Sequence, residues 1–554
     1  MYIGVDFGTV FSQTAVFHNK NSLRLLSSGT YGTPSLFYYD SVQDIIVGDE
    51  ANDAAQGIFA DNIVRDVKMK IDQCFNLDGR TFSAEEIIKS IYEEVLEHAS
   101  EEGKEQINDP QIKGIVVCHP AKFSMTEISV LTRSASTCLG KTPIKILGRI
   151  KEPVAAALAY YHNNPERPES GKGILVYDLG GGTCDIALVC ADSNELAEYT
   201  VLDSDTVRVG GRNWDKVLFD YVIDKAEESR VERRDILNSQ ANQNEILKAV
   251  IKAKEDLSKR AEVKIRVNLD LEGKAKLLEI PISRETFNEM TVELLDETIS
   301  KLEKIYNRHC GKIEIEEIIC VGGASNMPQV REALEDRFGD CEIILHIPEY
   351  AIADGAAIYA KKIVDKVESL GYNVDEVEDF ESIVNPSKCY ANGVVLPSCE
   401  SVTGVMLSSN HTSQHSRGLI EDILPLSYGV RCQKKDSNEY VVQNLLKKGD
   451  SLPVTAKFGG LAPADNGKDI KAIEIEICES ECTDDRFACD MGKGERVIGT
   501  ISLYKPDGVS ADDDIECTLT ISCLDYIKAE ARDNKGSKIE VEVNLNGFTC
   551  SPNE

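Results

Sequence analysis

Ile174-Leu175-Val176-Tyr177-Asp178-Leu179-Gly180-Gly181-Gly182-Thr183-Cys184-Asp185-Ile186-Ala187-Leu188-Val189 reads as two apolar strands joined by a glycine turn. An acid stands at the end of the first strand and a hydroxyl in the turn. A near-copy lies at the N-terminus, where strand Tyr2–Val5 runs into Asp6-Phe7-Gly8-Thr9 and then into the alternating run Ser12–Phe17. One Asp-x-Gly is only a turn. Two at equivalent strand ends form an internal repeat, and a third turn, Val321-Gly322-Gly323-Ala324, follows strand Glu317–Cys320. Glycines let backbone N–H groups approach phosphate oxygens with no β-carbon in the way. Asp6 and Asp178 would repel phosphate on their own, so their place at the turns makes sense if they hold hydrated Mg²⁺ against it. The P-loop run Gly-x-x-x-x-Gly-Lys-Ser/Thr and the dinucleotide run Gly-x-Gly-x-x-Gly are both missing, which excludes those two folds.

Around these turns the chain alternates apolar strands with long amphipathic segments up to about residue 365, the pattern of an α/β architecture. Ile246, Val250, Ala253 and Leu257 recur at helical spacing within Asn244–Ala261, and Pro153 suits the first turn of another helix. Residues 366–418 break the pattern with Pro- and Ser-rich turn chemistry and read as a connector with a short hairpin of its own. From Leu419 the period becomes two: Ile473, Ile475 and Ile477, then Cys517, Leu519, Ile521 and Cys523, then Ile539, Val541, Val543 and Leu545. These are half-buried antiparallel strands, so 419–554 reads as a β-sandwich.

Composition narrows the classes further. The 554 residues are 42% hydrophobic and 28% charged, which suits a globular chain with several cores. The net charge is −33, with an acid excess on both sides of Leu419, so neither nucleic acid nor an anionic membrane finds a basic footprint. No apolar run reaches the ~20 residues that span a bilayer. Met1–Asp6 enters a strand pattern with no basic leader, so a cytoplasmic location is expected, and the 17 scattered cysteines are expected to be free thiols rather than a disulfide framework or a zinc site.

The same turns, with Val117-Cys118-His119-Pro120-Ala121-Lys122-Phe123, Glu152–Tyr160, Val209-Gly210-Gly211-Arg212-Asn213-Trp214-Asp215, Ala253–Ser258 and Val321–Pro328, resemble the 70-kDa heat-shock protein (DnaK-type) chaperone family within the actin-like ATPase superfamily. The resemblance spans residues 1 to about 365 and resumes more weakly at Leu419–Gly429. It implies an α/β actin-like (ribonuclease H-like, duplicated) ATPase domain over 1–365, the connector 366–418, and a β-sandwich peptide-binding domain over 419–554. It also implies ATP/ADP and Mg²⁺ as ligands, slow hydrolysis coupled to binding and release of unfolded or extended polypeptide, and a role in the stress response. Co-chaperones and a nucleotide exchange factor are implied as partners.

By position, the resemblance makes Asp6 and Asp178 the metal-side acids, Asp185 a further acid, and Lys68 the lysine that holds the attacking water. Gly8, Thr9, Val10, Gly180, Gly181, Gly182 and Thr183 become the phosphate loops. Glu152 and Pro120 would relay nucleotide state, with Asp422 as the coupling acid of the linker. Gly210, Gly211, Lys254, Ser258, Gly322, Gly323, Ala324 and Asn326 would line the rest of the nucleotide site. Departures gather at the adenosine end: Asn326 replaces an arginine, Ile251 and Glu255 replace two polar contacts, Val10 replaces a hydroxyl, and Arg212 follows Gly210-Gly211 where the family has glutamate. Base recognition should be weaker than phosphate recognition.

In the sandwich, Ile473 matches the residue of the central peptide pocket. The loop Arg431-Cys432-Gln433-Lys434-Lys435-Asp436 is polar where the family has an apolar arch, with Gln433 at the arch position, and no helical lid follows the last strand, Ile539–Leu545. Two other functions stay open on the residues alone: an adaptor that senses nucleotide and serves one dedicated protein partner, and an actin-like filament-forming ATPase.

Overall fold

The computed structural model describes residues 1–542 except 26–30, 43, 55–60, 138–143, 167–171, 192–196, 272, 385–389, 392–393, 396–417, 434–438, 453, 462, 464–469, 489–494, 506, 511, 524–525 and 537. Two mixed sheets organise the α/β part. In the first, Lys145–Lys151, Gly114–His119 and Tyr2–Asp6 run parallel, and the hairpin from Tyr2–Asp6 into Phe11–His18 continues to Asn21–Arg24. In the second, Glu342–Leu345, Glu314–Val321 and Lys172–Leu179 run parallel. The hairpin into Cys184–Ala191 then continues to Ala197–Val207. The helix read over Asn244–Ala261 spans Gln240–Lys259 and buries Ile246, Val250, Ala253 and Leu257, the positions its period marked. Helix Glu152–Asn163 starts with Pro153 in its first turn. No helix among the described residues is long and apolar enough to cross a membrane.

The packing does not stop at residue 365. Helix Ala351–Ser369 crosses that point, and Val374, Val377, Phe380 and Val384 enter the core shared by the two sheets. These side chains, as far as Val384, find their apolar partners in the core of the α/β sheets. The expected small hairpin pairs Tyr390–Ala391 with Val394–Val395.

Residues 418–421 also depart from the reading. Gly418–Glu421 is not a sandwich strand but adds in parallel to the edge of the second α/β sheet, with Tyr199 opposite Ile420 and Thr200 opposite Glu421. Leu419, Ile420 and Ile423 are buried in the α/β core. The sandwich begins at Ser427. Ser427–Gln433, Tyr440–Leu446, Ala472–Ser480, Arg486–Ala488 and Arg496–Tyr504 form one sheet. Val454–Leu461, Ile515–Cys523, Tyr526–Asp533 and Lys538–Glu542 form the other. Ile473, Ile475, Ile477, Cys517, Leu519 and Ile521 point between them, as the period of two requires. The last strand is described only to Glu542, so Val543, Leu545 and the segment where a lid was not expected lie outside the described residues.

Ten of the described cysteines are free. Cys74 is disulfide-bonded, which corrects the expectation of free thiols throughout.

Candidate active site

In each hairpin an acid stands at or next to the end of the first strand, just before a turn of small residues, Asp6 in one sheet and Asp178 in the other. Asp6 closes Tyr2–Asp6; Asp178 lies directly across its hairpin from Asp185. Lys68 sits in a single 3₁₀ turn, Val67–Lys70, with its amine 2.6 Å from Oε1 of Glu152, and both side chains are buried. Four carboxylates (Asp6, Glu152, Asp178 and Asp185) thus surround one lysine.

The electrostatics follow from that imbalance. Burial raises Asp6, and Lys68 pulls it only partly back. Burial, then Glu152, Asp185 and Asp6, push Asp178 well above the carboxylate range. Burial, set against Lys68, carries Glu152 up to about 8. Burial alone would lower Lys68, but Glu152 and then Asp6 hold it above its ordinary value. A buried cluster with this excess of acid calls for a cation. Oδ1 of Asp178 is buried and makes no hydrogen bond, which leaves an acceptor aimed at the turns. No group of three or more His, Cys, Asp or Glu among the described residues is set to hold an ion alone. Mg²⁺ would need only one or two such carboxylates, since it keeps several waters and binds phosphate oxygens besides.

Asp185 is already engaged. Its Oδ1 accepts from the Ala121 N–H at 2.7 Å and from the Thr206 hydroxyl at 2.6 Å. It therefore ties the second sheet to the backbone beside Pro120, and its fit to the metal set is poorer than that of Asp6 or Asp178.

The glycine turns face one another. A β-carbon on Gly181 would lie 2.4 Å from a Val10 methyl, and one on Gly182 2.9 Å from both Thr9 and Met69. Gly211 N–H donates to the Gly180 carbonyl and Arg212 N–H to that of Gly181, which fastens Gly210-Gly211-Arg212 to the second turn. Gly322 has φ 79°, and its β-carbon would meet the Leu179 carbonyl at 2.4 Å and Asp178 Oδ1 at 2.5 Å. Only glycine suits that position. Gly322→Ala is expected to weaken Mg·ATP binding by at least about tenfold, read by isothermal titration; an unchanged affinity would remove the third turn from the site.

At the adenosine end the convergence is partial. Lys254 reaches Gly211, donating to its carbonyl at 3.0 Å, and Ala324 lies against the same glycine. Lys254 is also paired with Asp215 at 2.7 Å. The Ser258 hydroxyl turns back to the Lys254 carbonyl of its own helix, and the Asn326 amide is held by Glu349 at 2.8 Å. Gly8 packs against the Phe11 carbonyl, and Gly323 opens the turn that carries Ala324 and Asn326.

Contacts also run from the segment beside Glu152 toward the chain's β part. Buried Lys151, immediately before Glu152, is 2.6 Å from Asp422 and donates to the Ile423 carbonyl at 2.9 Å. Burial lowers His119 to about 4, so the ring is neutral. Its Nδ1 is 2.9 Å from the Pro120 carbonyl, and since a carbonyl only accepts, that nitrogen carries the proton. Lys151 carried no signal in the sequence, because its partner is 271 positions away.

Two more ties join the sandwich to the α/β part. Lys122, Lys301 and Lys448 surround Asp205, and although burial opposes it they hold that acid well below the carboxylate range, Lys448 most strongly. Arg496 pairs with Glu479 and donates to the Ser124 hydroxyl at 2.8 Å. Burial raises Glu479 to about 7 from 4.5, with Arg496 opposing. A raised folded-state pKa stabilises the fold below the unfolded value and stops doing so as pH rises through the folded one. Against the unsubstituted protein, Glu479→Gln should therefore melt higher above pH 7 and about equally below pH 4.5; the same offset at every pH would rule out this titration.

Ile473 is 8% exposed and packs in the sandwich core. Gln433 ends its strand opposite Tyr440, and Lys434, Lys435 and Asp436 lie outside the described residues.

A family model described as Hsp70 protein matches residues 60–378, more than half of the chain and within the α/β part. Members of that family are ATP-binding, chaperone-type ATPases with an actin-like ATPase domain. With the cleft acids, Lys68 and the glycine turns in one place, and with that match over most of the α/β part, the chain belongs to the Hsp70 protein family.

Proposed function

We propose that this chain binds Mg·ATP between its two α/β sheets, hydrolyses it slowly, and couples nucleotide state to a β-sandwich that holds extended polypeptide. The observation that carries the reading is the buried Lys68–Glu152 pair among Asp6, Asp178 and Asp185, facing three glycine turns. Mg²⁺, held by Asp6 and Asp178, would supply counter-charge to the phosphate oxygens. The chain's own residues do the rest. Backbone N–H groups of the turns at Gly8–Val10, Gly180–Thr183 and Gly322–Ala324 cradle phosphate. Lys68 orients the attacking water and offsets charge that develops on the phosphoryl group. Glu152 holds Lys68 in place and, through the adjacent Lys151, joins the site to Asp422, which follows strand Gly418–Glu421. We read the two sheets as a duplicated unit, with Asp6 and Asp178 as equivalent acids. Polypeptide clients, co-chaperones and an exchange factor follow from the family reading.

A second reading is supported by Ile473, which packs in the sandwich core, and by the polar sequence after Arg431. On that reading the sandwich serves one fixed protein partner. A peptide-array screen with and without Mg·ATP separates the two: many unrelated hits weakened by ATP support the chaperone, one hit supports the adaptor, and none removes the peptide claim.

A further inference from the structure

We propose that Arg212 is a phosphate-binding residue of this site, gripping the terminal phosphate of the bound nucleotide in exchange for Asp66. The inference rests on the ATP-site reading above and names a contact within it.

Position comes first. Arg212 lies in the first turn of helix Gly211–Glu228, and its N–H donates to the Gly181 carbonyl at 2.8 Å. Gly210 before it packs backbone to backbone on the same turn, with its β-carbon position 2.6 Å from the Gly182 nitrogen. The side chain then reaches Asp66, two residues before Lys68, with Nε 3.0 Å from Oδ1. The guanidinium therefore spans from the second phosphate turn to the segment that carries the lysine of the site.

The pair is poorly made. Arg212 Nε and Asp66 Oδ1 are both buried, yet neither makes an aligned hydrogen bond. Asp66 adopts a left-handed conformation, φ 60° and ψ 34°, which a non-glycine residue takes at some cost. A guanidinium presents a planar fork of donors, and tetrahedral phosphate with several oxygens matches it better than one misaligned carboxylate oxygen. Arg65 adds charge of the same sign beside it: burial and then Arg212 lower Arg65, while Asp66 raises it. An entering phosphate would meet the guanidinium of Arg212 with that of Arg65 beside it. This is also the position where the sequence places arginine after Gly210-Gly211 in contrast to the resembling family's glutamate.

The rival account is that the pair only straps the two sides of the cleft together. Titration of the full chain with Mg·ATP and with Mg·tripolyphosphate separates the two. Arg212→Gln should weaken both ligands by about 10- to 100-fold, the worth of a charge-assisted contact. Arg212→Lys should recover part of the loss, and Asp66→Asn, which frees the guanidinium, should leave both affinities unchanged or tighter. Equal weakening by Asp66→Asn and Arg212→Gln, or no change with Arg212→Gln, overturns the proposal. If Arg212→Gln does not fold, the contrast between Arg212→Lys and Asp66→Asn decides in the same way. Binding of neither ligand by the unsubstituted protein would remove the ATP site itself, whereas ATP binding indifferent to Arg212 removes only this contact.

Discussion

Lys68→Met is expected to slow single-turnover ATP hydrolysis by about 100-fold or more, while the dissociation constant for Mg·ATP moves less than about tenfold. The lysine offsets charge that appears mainly in the transition state, so its loss falls on the rate rather than on ground-state binding. The structure adds a condition. Lys68 is the ion-pair partner of buried Glu152, and removing one member of a buried pair costs ~3–5 kcal/mol if the other stays charged. Glu152 already stands near 8 with the lysine present, so in the mutant it should take up a proton and limit that cost. Lys68→Met combined with Glu152→Gln should therefore restore thermal stability without restoring turnover. Rapid quench with labelled ATP measures the rate. Unchanged turnover in Lys68→Met would take Lys68 out of the chemistry, and recovery of turnover in the double variant would make its role structural.

The second large effect is expected at Lys151 and Asp422. Asp422→Asn leaves the lysine ammonium buried, where its described partners are the Ile423 carbonyl and an amide in place of the acid. A penalty of ~3–5 kcal/mol then acts on the docking of the linker. Burying Leu419, Ile420 and Ile423 supplies only ~1.5–3 kcal/mol for each side chain before ordering costs, so a penalty of that size can shift the docked population. Amide exchange in 418–423 should accelerate at least tenfold, and ATPase activity should stop responding to peptide. Lys151→Met with Asp422→Leu should restore slow exchange, because an apolar pair removes the uncompensated charge. Exchange at the original rate in Asp422→Asn would show that the strand pairing of Ile420 and Glu421 with Tyr199 and Thr200 suffices without the ion pair.

Both effects concern contacts that join distant parts of the chain, and the boundary of what sequence can reveal runs along the same line. The hairpins around Asp6 and Asp178, helix Gln240–Lys259 and the alternating strands of the sandwich are local patterns. Period, turn chemistry and strand-end acids lie within a dozen residues of each other. The glycine turns belong to the same local class, whereas Lys68 carries no local signal and is singled out only by the family resemblance. The peptide positions were not settled that way, since an isoleucine at period two suits a pocket and a core equally, and Ile473 packs in the core.

Tertiary structure alone decided the rest. Helix Ala351–Ser369 carries the α/β core beyond residue 365, because apolar side chains as far as Val384 find partners on two sheets that no local pattern reveals. Gly418–Glu421 joins the α/β sheet rather than the sandwich: four residues of mixed polarity suit either edge, and the free edge of Ala197–Val207 lies within reach. Lys151 with Asp422, Lys448 with Asp205 and Arg212 with Asp66 are opposite charges separated by more than a hundred positions. Composition registers only their sum. Ion pairing depends on distance and burial, and both are properties of the folded chain, which brings these charges within 4 Å of each other and removes the water that would otherwise screen them.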